Sequence, residues 1–509
     1  MSRTTNTLRN AGTAMLAQVA VILLNFACRT VFIHTLGKEY LGISGLYANV
    51  LTVLSISELG FSTVITYRLY DPLARNDQAL VRSLMAFFRS AYRVVGLAVL
   101  VLGLALMPFL PQLMTGVTDK VNIYHYYLLY LAQSVTGYWF FAYKSVLLQA
   151  DQKKYLVDLV SIGCRAAVSL TQMAVLLVWR SFFGYTLLAV LSGVAQNVVT
   201  AVLVDRRYPY LKEPAQPLEK VQKKDLFSGI YATFLQRVSV AVGTATDNLI
   251  ISANISVAAV GLYSNYQMVV GAVQTFLGAI FNAVTASVGS LLAEGKDRES
   301  LAVFRSLTVL NSWLVALCSV CFLSLFPTFI RLWAGEDYLL DGFTTVMIVL
   351  NFATNYLQSV ILIYRSAAGL FVYGKYRSVV NAALNLGISL ILVRPLGMAG
   401  VFLGSVVSRL ATVWWYDGWL VCRRVFHTGP WWYYGSCAGT LILAWACHWT
   451  VEWLCGGLGA GWGTLLLRLA LCCAVTTGVY ALLLGRSPET RLLLDRLAAA
   501  LKRHKRTQS

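Results

Sequence analysis

Charge is scarce in this chain. Asp, Glu, Lys and Arg supply 12% of its 509 residues, about half the share of an ordinary soluble domain, and that excludes a water-soluble globule of this size. Acidic residues are scarcest, 22 against 41 basic ones. Histidine is sparse as well: His34, His125, His427, His448 and His504 are scattered, without metal-ligand spacing and without a Gly-rich phosphate loop. No catalytic constellation, resident metal or cofactor is therefore expected, and an ATP-driven pump is argued against. No small-residue cleavage site follows Ser2–Asn6, so the first apolar run is expected to stay in the mature protein rather than leave as a secretory signal.

What the chain has in excess is apolar length. Hydrophobic residues make up 58% of it, gathered in windows of about twenty, each long enough to cross about 30 Å of hydrocarbon at about 1.5 Å per residue. About fourteen windows are read, at 11–35, 42–67, 83–109, 124–149, 156–179, 183–204, 228–252, 257–292, 303–327, 343–368, 378–393, 397–421, 434–454 and 464–485. Barrel strands would alternate over about ten residues, whereas these runs are long, unbroken and rich in Leu, Val and Ala. The expected fold is an all-α polytopic membrane protein. Cys28, Cys164, Cys318, Cys321, Cys437, Cys447, Cys472 and Cys473 lie inside the runs, where a thiol acts as a small buried hydrophobe.

The net charge of +19 is a topology signal rather than a nucleic-acid footprint, because the basic residues alternate with loop parity. Loops on one side and the tail hold 26 Lys and Arg, while the other side holds 5, namely Lys38, Lys120, Arg180, Arg331 and Arg394. Positive residues stay in the cytoplasm, so both termini are expected there, which requires an even number of spans. The linker and tail carry enough Lys and Arg to touch anionic membrane lipids.

Two short patterns recur at nearly one offset. Gly45-Leu46-Tyr47-Ala48-Asn49 pairs with Gly261-Leu262-Tyr263-Ser264-Asn265 at a shift of 216, and Lys144-Ser145 with Lys154-Tyr155 pairs with Arg365-Ser366 with Lys375-Tyr376 at a shift of 221. The division that follows is a six-helix lobe over 1–204, a cytoplasmic linker over 205–226, a second six-helix lobe over 227–425, two additional helices over 426–486 and a basic tail over 487–509. Six is even, so both lobes enter the membrane alike, as in transporters whose substrate cavity lies between parallel repeats.

Polar side chains at membrane depth usually face a bundle interior or a wet cavity. Gln18, Asn25 and Arg29 stand seven and four residues apart on one face of the first span, and the second repeats the device with Ser44, Ser55, Glu58 and Ser62. The seventh carries Thr233, Arg237, Thr244 and Asn248, with Asp247 beside them; Arg165 and Arg409 add positive charge in the fifth and twelfth. A cavity collecting Arg29, Arg237, Arg165, Arg409, Asn25, Gln18 and Asn248 would attract an anion. Glu58 and Asp247 are read either as partners of Arg29 and Arg237 or as binders of a coupling ion, sodium or proton. Asp417 and Arg468 lie near helix ends and are expected to snorkel to water, and Trp431, Trp432, Tyr433 and Tyr434 to form an interfacial belt.

The stretches from Thr35-Leu36-Gly37-Lys38-Glu39-Tyr40-Leu41-Gly42 through Glu58-Leu59-Gly60-Phe61, and from Thr246-Asp247-Asn248 through Val260-Gly261-Leu262-Tyr263-Ser264-Asn265-Tyr266, resemble the bacterial polysaccharide flippases. Those belong to the multidrug/oligosaccharidyl-lipid/polysaccharide (MOP) exporter superfamily, and the likeness covers about 10–425. The resemblance implies a MATE-like, two-lobed bundle of twelve core helices working by alternating access. It implies as cargo an undecaprenyl-pyrophosphate-linked oligosaccharide moved to the outer leaflet of a bacterial cell membrane. Partners expected on this reading are the lipid-linked oligosaccharide, membrane lipids and cell-surface polysaccharide assembly proteins, with no nucleic acid. An ion-coupled multidrug exporter of the same superfamily is the main rival, kept alive by Glu58 and Asp247. A membrane-bound polymerase or acyltransferase is a second rival, disfavoured by short outer loops.

Overall fold

The computed structural model describes residues 3–54, 61–116, 122–218, 226, 246–294, 297–370, 373–374 and 376–495. Every regular element among them is helical, as a bilayer demands of segments that must satisfy their own backbone hydrogen bonds. In chain order these are α1 (Arg3–Leu54), α2 (Phe61–Ala74), α3 (Gln78–Leu106), the single turn α4 (Leu110–Leu113), α5 (Ile123–Trp139), α6 (Ser145–Ala150), α7 (Lys154–Trp179), α8 (Phe182–Arg207), a short α9 over 246–254, and α10 (Val257–Ala293). There follow α11 (Asp297–Trp333), α12 (Gly342–Tyr356), α13 (Ser359–Ala367), α14 (Arg377–Arg409), α15 (Trp415–Arg424), α16 (Trp431–Leu454) and α17 (Trp462–Leu484). Contacts divide the chain into two compact units, Met1–Ser264 and Asn265–Ser509.

Eight runs among the described residues are long and apolar enough to cross a membrane. Two of them hold two windows each, because the turn between windows is a single glycine. Gly37 (φ 79°) interrupts α1 and Gly397 (φ 58°) interrupts α14, both in a region that L side chains avoid. At Gly397 the chain folds back into an antiparallel hairpin: the Ser405 hydroxyl donates to Asn385 Oδ1 at 3.1 Å and the Ser389 hydroxyl to the Val401 carbonyl at 3.1 Å. Around Gly37, Phe32 before it and Tyr40 after it both lie against Phe182, at 5.9 and 5.0 Å between ring centroids.

The fourth and tenth windows are each broken by local geometry. A 3-10 turn over Ala142–Lys144 separates α5 from α6, and Leu357 with Gln358 separates α12 from α13. The last two helices close on α11 through a buried cluster of Ala316, Val320, Ala444, Cys447, Val451, Cys472 and Tyr480. The Tyr480 hydroxyl donates to the Ser312 carbonyl at 3.2 Å, and Ser324 meets His448 at 2.8 Å. All ten cysteines are free thiols.

Two local expectations change. Trp431 is 79% exposed, but Tyr433 is buried and donates to the Leu357 carbonyl at 3.1 Å, so the four-residue aromatic run is only partly an interfacial belt. Asp417 does not reach water; it is fully buried between two arginines. Arg468 likewise turns inward, 3.4 Å from Glu452.

Candidate substrate site

In the first unit, glycines bring α1 and α10 into backbone contact. A methyl group on Gly42 would lie 1.9 Å from the Val257 carbonyl oxygen, and one on Gly261 would lie 2.4 Å from that of Lys38. Only a hydrogen fits at either place. One turn beyond Gly261, Ser264 is thereby carried to Arg29. The guanidinium donates to the Ser264 hydroxyl, which passes its own hydrogen to the Gly261 carbonyl at 2.7 Å.

Arg29 is half-buried and interacts electrostatically with Cys28, Tyr130 and Tyr185. The Tyr130 hydroxyl and Ser44 share a hydrogen bond of 2.6 Å. Gln172 of α7 donates to the Tyr185 carbonyl at 2.9 Å and takes a long contact, 3.9 Å, from the Cys28 thiol. The result is a charged fork set among hydroxyl, amide and phenol groups, a set suited to an anion bearing oxygens.

The other predicted residues are placed unevenly. Asn25, one turn before Arg29, is exposed. Arg165 is exposed too, seven residues before Gln172 and so on the same side of α7, and it forms no ion pair among the described residues. Asp247 and Asn248 lie on α9 and are 9% and 2% exposed; Asp247 interacts electrostatically with Tyr263, and Asn248 Oδ1 has no hydrogen-bond partner among the described residues. Arg409 belongs to the second unit. One nitrogen of its guanidinium reaches the Asn351 carbonyl at 3.1 Å, Asn351 Oδ1 at 2.9 Å and the Thr354 hydroxyl at 2.9 Å, and a π-helical stretch, Leu410–Trp414, follows it directly. The side chain of Gln18, and Glu58, Thr233, Arg237 and Thr244, lie outside the described residues.

Sequence reasoning passed over Ser264, Tyr130 and Tyr185 as companions of Arg29. A signal existed for Ser264, which sits inside the second copy of the repeated motif. Tyr130 and Tyr185 carried none, since tyrosine is common throughout the chain.

The repeat itself has a counterpart in ion pairing. Lys144 ends the break in the fourth window and bonds Asp205, in the last turn of α8, at 2.6 Å. Arg365, its sequence equivalent, faces Asp417 of α15 at 3.5 Å. At both copies of the motif a basic residue is thus held by an acid on a later helix. At the second copy Arg377 bonds the same carboxylate as well.

The sequence profile of the family described as "Polysaccharide biosynthesis protein" matches residues 7–286. The chain belongs to that family. Among solved structures, the fold is similar to that of a lipid II flippase MurJ in an inward closed conformation: TM-score 0.67, 11% identity, 93% of this chain and 98% of that one. It is also similar to an inward-facing MATE-family multidrug transporter of the MOP superfamily: TM-score 0.59, 14% identity, 84% of this chain and 99% of that one. No curated protein matches in sequence. This family member is a multi-pass helical membrane protein that shares the fold of those two proteins.

Proposed function

We propose that this protein flips a lipid-linked oligosaccharide, joined to its undecaprenyl carrier through a pyrophosphate, from the inner to the outer leaflet of a bacterial cytoplasmic membrane. Both termini then face the cytoplasm, and the transport cycle is alternating access. The observation that carries the reading is Arg29 within the apolar run Val19–Thr52, bonded to the Ser264 hydroxyl and interacting with Tyr130 and Tyr185. An arginine fork grips a pyrophosphate through paired charge-assisted hydrogen bonds. Membership of a polysaccharide biosynthesis family supports a glycan cargo. The direction is favourable as well, because moving one negative charge out of a negative interior releases about 2.3 kcal/mol per 100 mV.

The test is a flipping assay in proteoliposomes with a pyrophosphate-linked saccharide lipid, comparing the parent chain with Arg29→Ala, Arg165→Ala and Arg237→Ala, each checked for folding by gel filtration. Parent activity with loss in the arginine variants supports the proposal. A parent chain that ignores the lipid but moves organic cations, in step with a sodium or proton gradient, replaces it with a drug exporter whose ion site would include Asp247 or Glu58.

A further inference from the structure

Arg89 and Arg93 of α3 have no part in the site just described. Both are exposed and form no ion pair among the described residues. They stand four apart, and the same helix face continues outward through Leu97, Val101 and Leu104, all exposed. An exposed apolar stripe of that length on a membrane helix is a lipid-facing surface.

Depth sets the pair at the membrane surface. With 29 residues, α3 is about 43 Å long, well over the hydrocarbon thickness. The helical run continues past Leu106 to Leu113, and counting about twenty residues back from Leu113 puts the hydrocarbon boundary near Val94. Arg93 then lies at that boundary and Arg89 about 8 Å outside it, at headgroup level. Exposed guanidinium groups at that level are placed to meet the anionic headgroup of a lipid.

The surroundings fit a headgroup. Trp139 lies over α3 where Gly96 leaves room, its indole donating to the Arg93 carbonyl at 3.2 Å, and Trp139, Phe140 and Phe141 are all exposed. Tyr143 interacts electrostatically with both arginines. Asp205, the acid that acts on Tyr143, is held by Lys144, so the patch keeps its positive charge. We infer that Arg89 and Arg93, with the Trp139–Phe141 edge, form a binding site for the phosphate of an anionic bilayer phospholipid, its acyl chains lying along Leu97, Val101 and Leu104.

The test is native mass spectrometry of the full chain in detergent, titrated with phosphatidylglycerol or with phosphatidylcholine. The parent should hold phosphatidylglycerol about tenfold more tightly than phosphatidylcholine. Arg89→Gln/Arg93→Gln should lose that preference, and Arg89→Lys/Arg93→Lys should retain most of it. Trp139→Leu should weaken both lipids together. Equal binding of the two lipids by the parent, or an unchanged preference in the glutamine variant, overturns the inference. So does a glutamine variant that still prefers phosphatidylglycerol but no longer binds a pyrophosphate-linked saccharide lipid, since the patch would then serve the cargo.

Discussion

Replacing Asp417 with asparagine should be among the most damaging single changes in the second unit. The carboxylate is fully buried, one oxygen bonded to Arg377 and the other 3.5 Å from Arg365 Nε. Arg365 is itself only 8% exposed, and its remaining reach is used on the Tyr373 carbonyl at 2.9 Å. Asparagine keeps the shape and removes the charge, leaving two guanidinium groups with no counter-charge between them. Breaking a buried ion pair from one side costs about 3–5 kcal/mol, and the upper half of that range is expected because two cations are orphaned. The two partners should couple unequally. Arg377 makes a true hydrogen bond, whereas neither Asp417 Oδ1 nor Arg365 Nε finds one. In a double-mutant cycle, Arg377→Gln with Asp417→Asn should show about 2–3 kcal/mol of coupling, and Arg365→Gln about 1 kcal/mol. Equilibrium unfolding in mixed micelles, followed by tryptophan fluorescence, supplies the free energies. An Asp417→Asn protein within about 0.5 kcal/mol of the parent, the range of an inconsequential surface change, would refute the reasoning.

Gly42→Ala should force α1 from α10 and cost about 2–3 kcal/mol, lowering the melting temperature, whereas Gly137→Ala, with open space around its Cβ, should be neutral or gain about 0.5–1 kcal/mol; thermal melts in detergent compare the two. Gly397→Ala must hold a side chain at φ 58° and should lose about 1 kcal/mol, with Gly387→Ala, in open helix, as the control. In the flipping assay, Arg29→Ala should lose about 10- to 100-fold, the equivalent of about 1.5–3 kcal/mol for a charge-assisted contact. Arg29→Lys should recover only part of that, because an ammonium lacks the fork; full activity in the alanine variant would remove Arg29 from the site.

Much of the fold was legible because a bilayer makes sequence one-dimensional. Apolar length alone marks a crossing, and the helices at Lys154–Trp179 and Phe182–Arg207 fall within two or three residues of the windows read at 156–179 and 183–204. Reading 378–393 and 397–421 as two spans was also sound, although they share one continuous helical run, because Pro395 and Gly397 stand where the hairpin turns. The candidate site was only half legible. A four- and seven-residue spacing shows which face carries Asn25 and Arg29, but nothing in it says that Gly261 will bring Ser264 against that face.

The sequence by itself determined that this is a helical membrane protein, where most of its spans lie, and that two short patterns recur along it, since each of these depends on hydrophobicity and local spacing. Tertiary structure decided what the polar groups do. Asp417 sits beside aromatic residues near a helix end and reads as a residue on its way to water; the return of α13 past α15 buries it between Arg365 and Arg377 instead. Tyr433, read as part of a belt, is drawn inward to a carbonyl left open where α12 breaks. Partners 40 to 235 residues away in the chain are chosen by how helices cross, and that geometry is set by glycines and side-chain volumes acting together rather than by any local pattern.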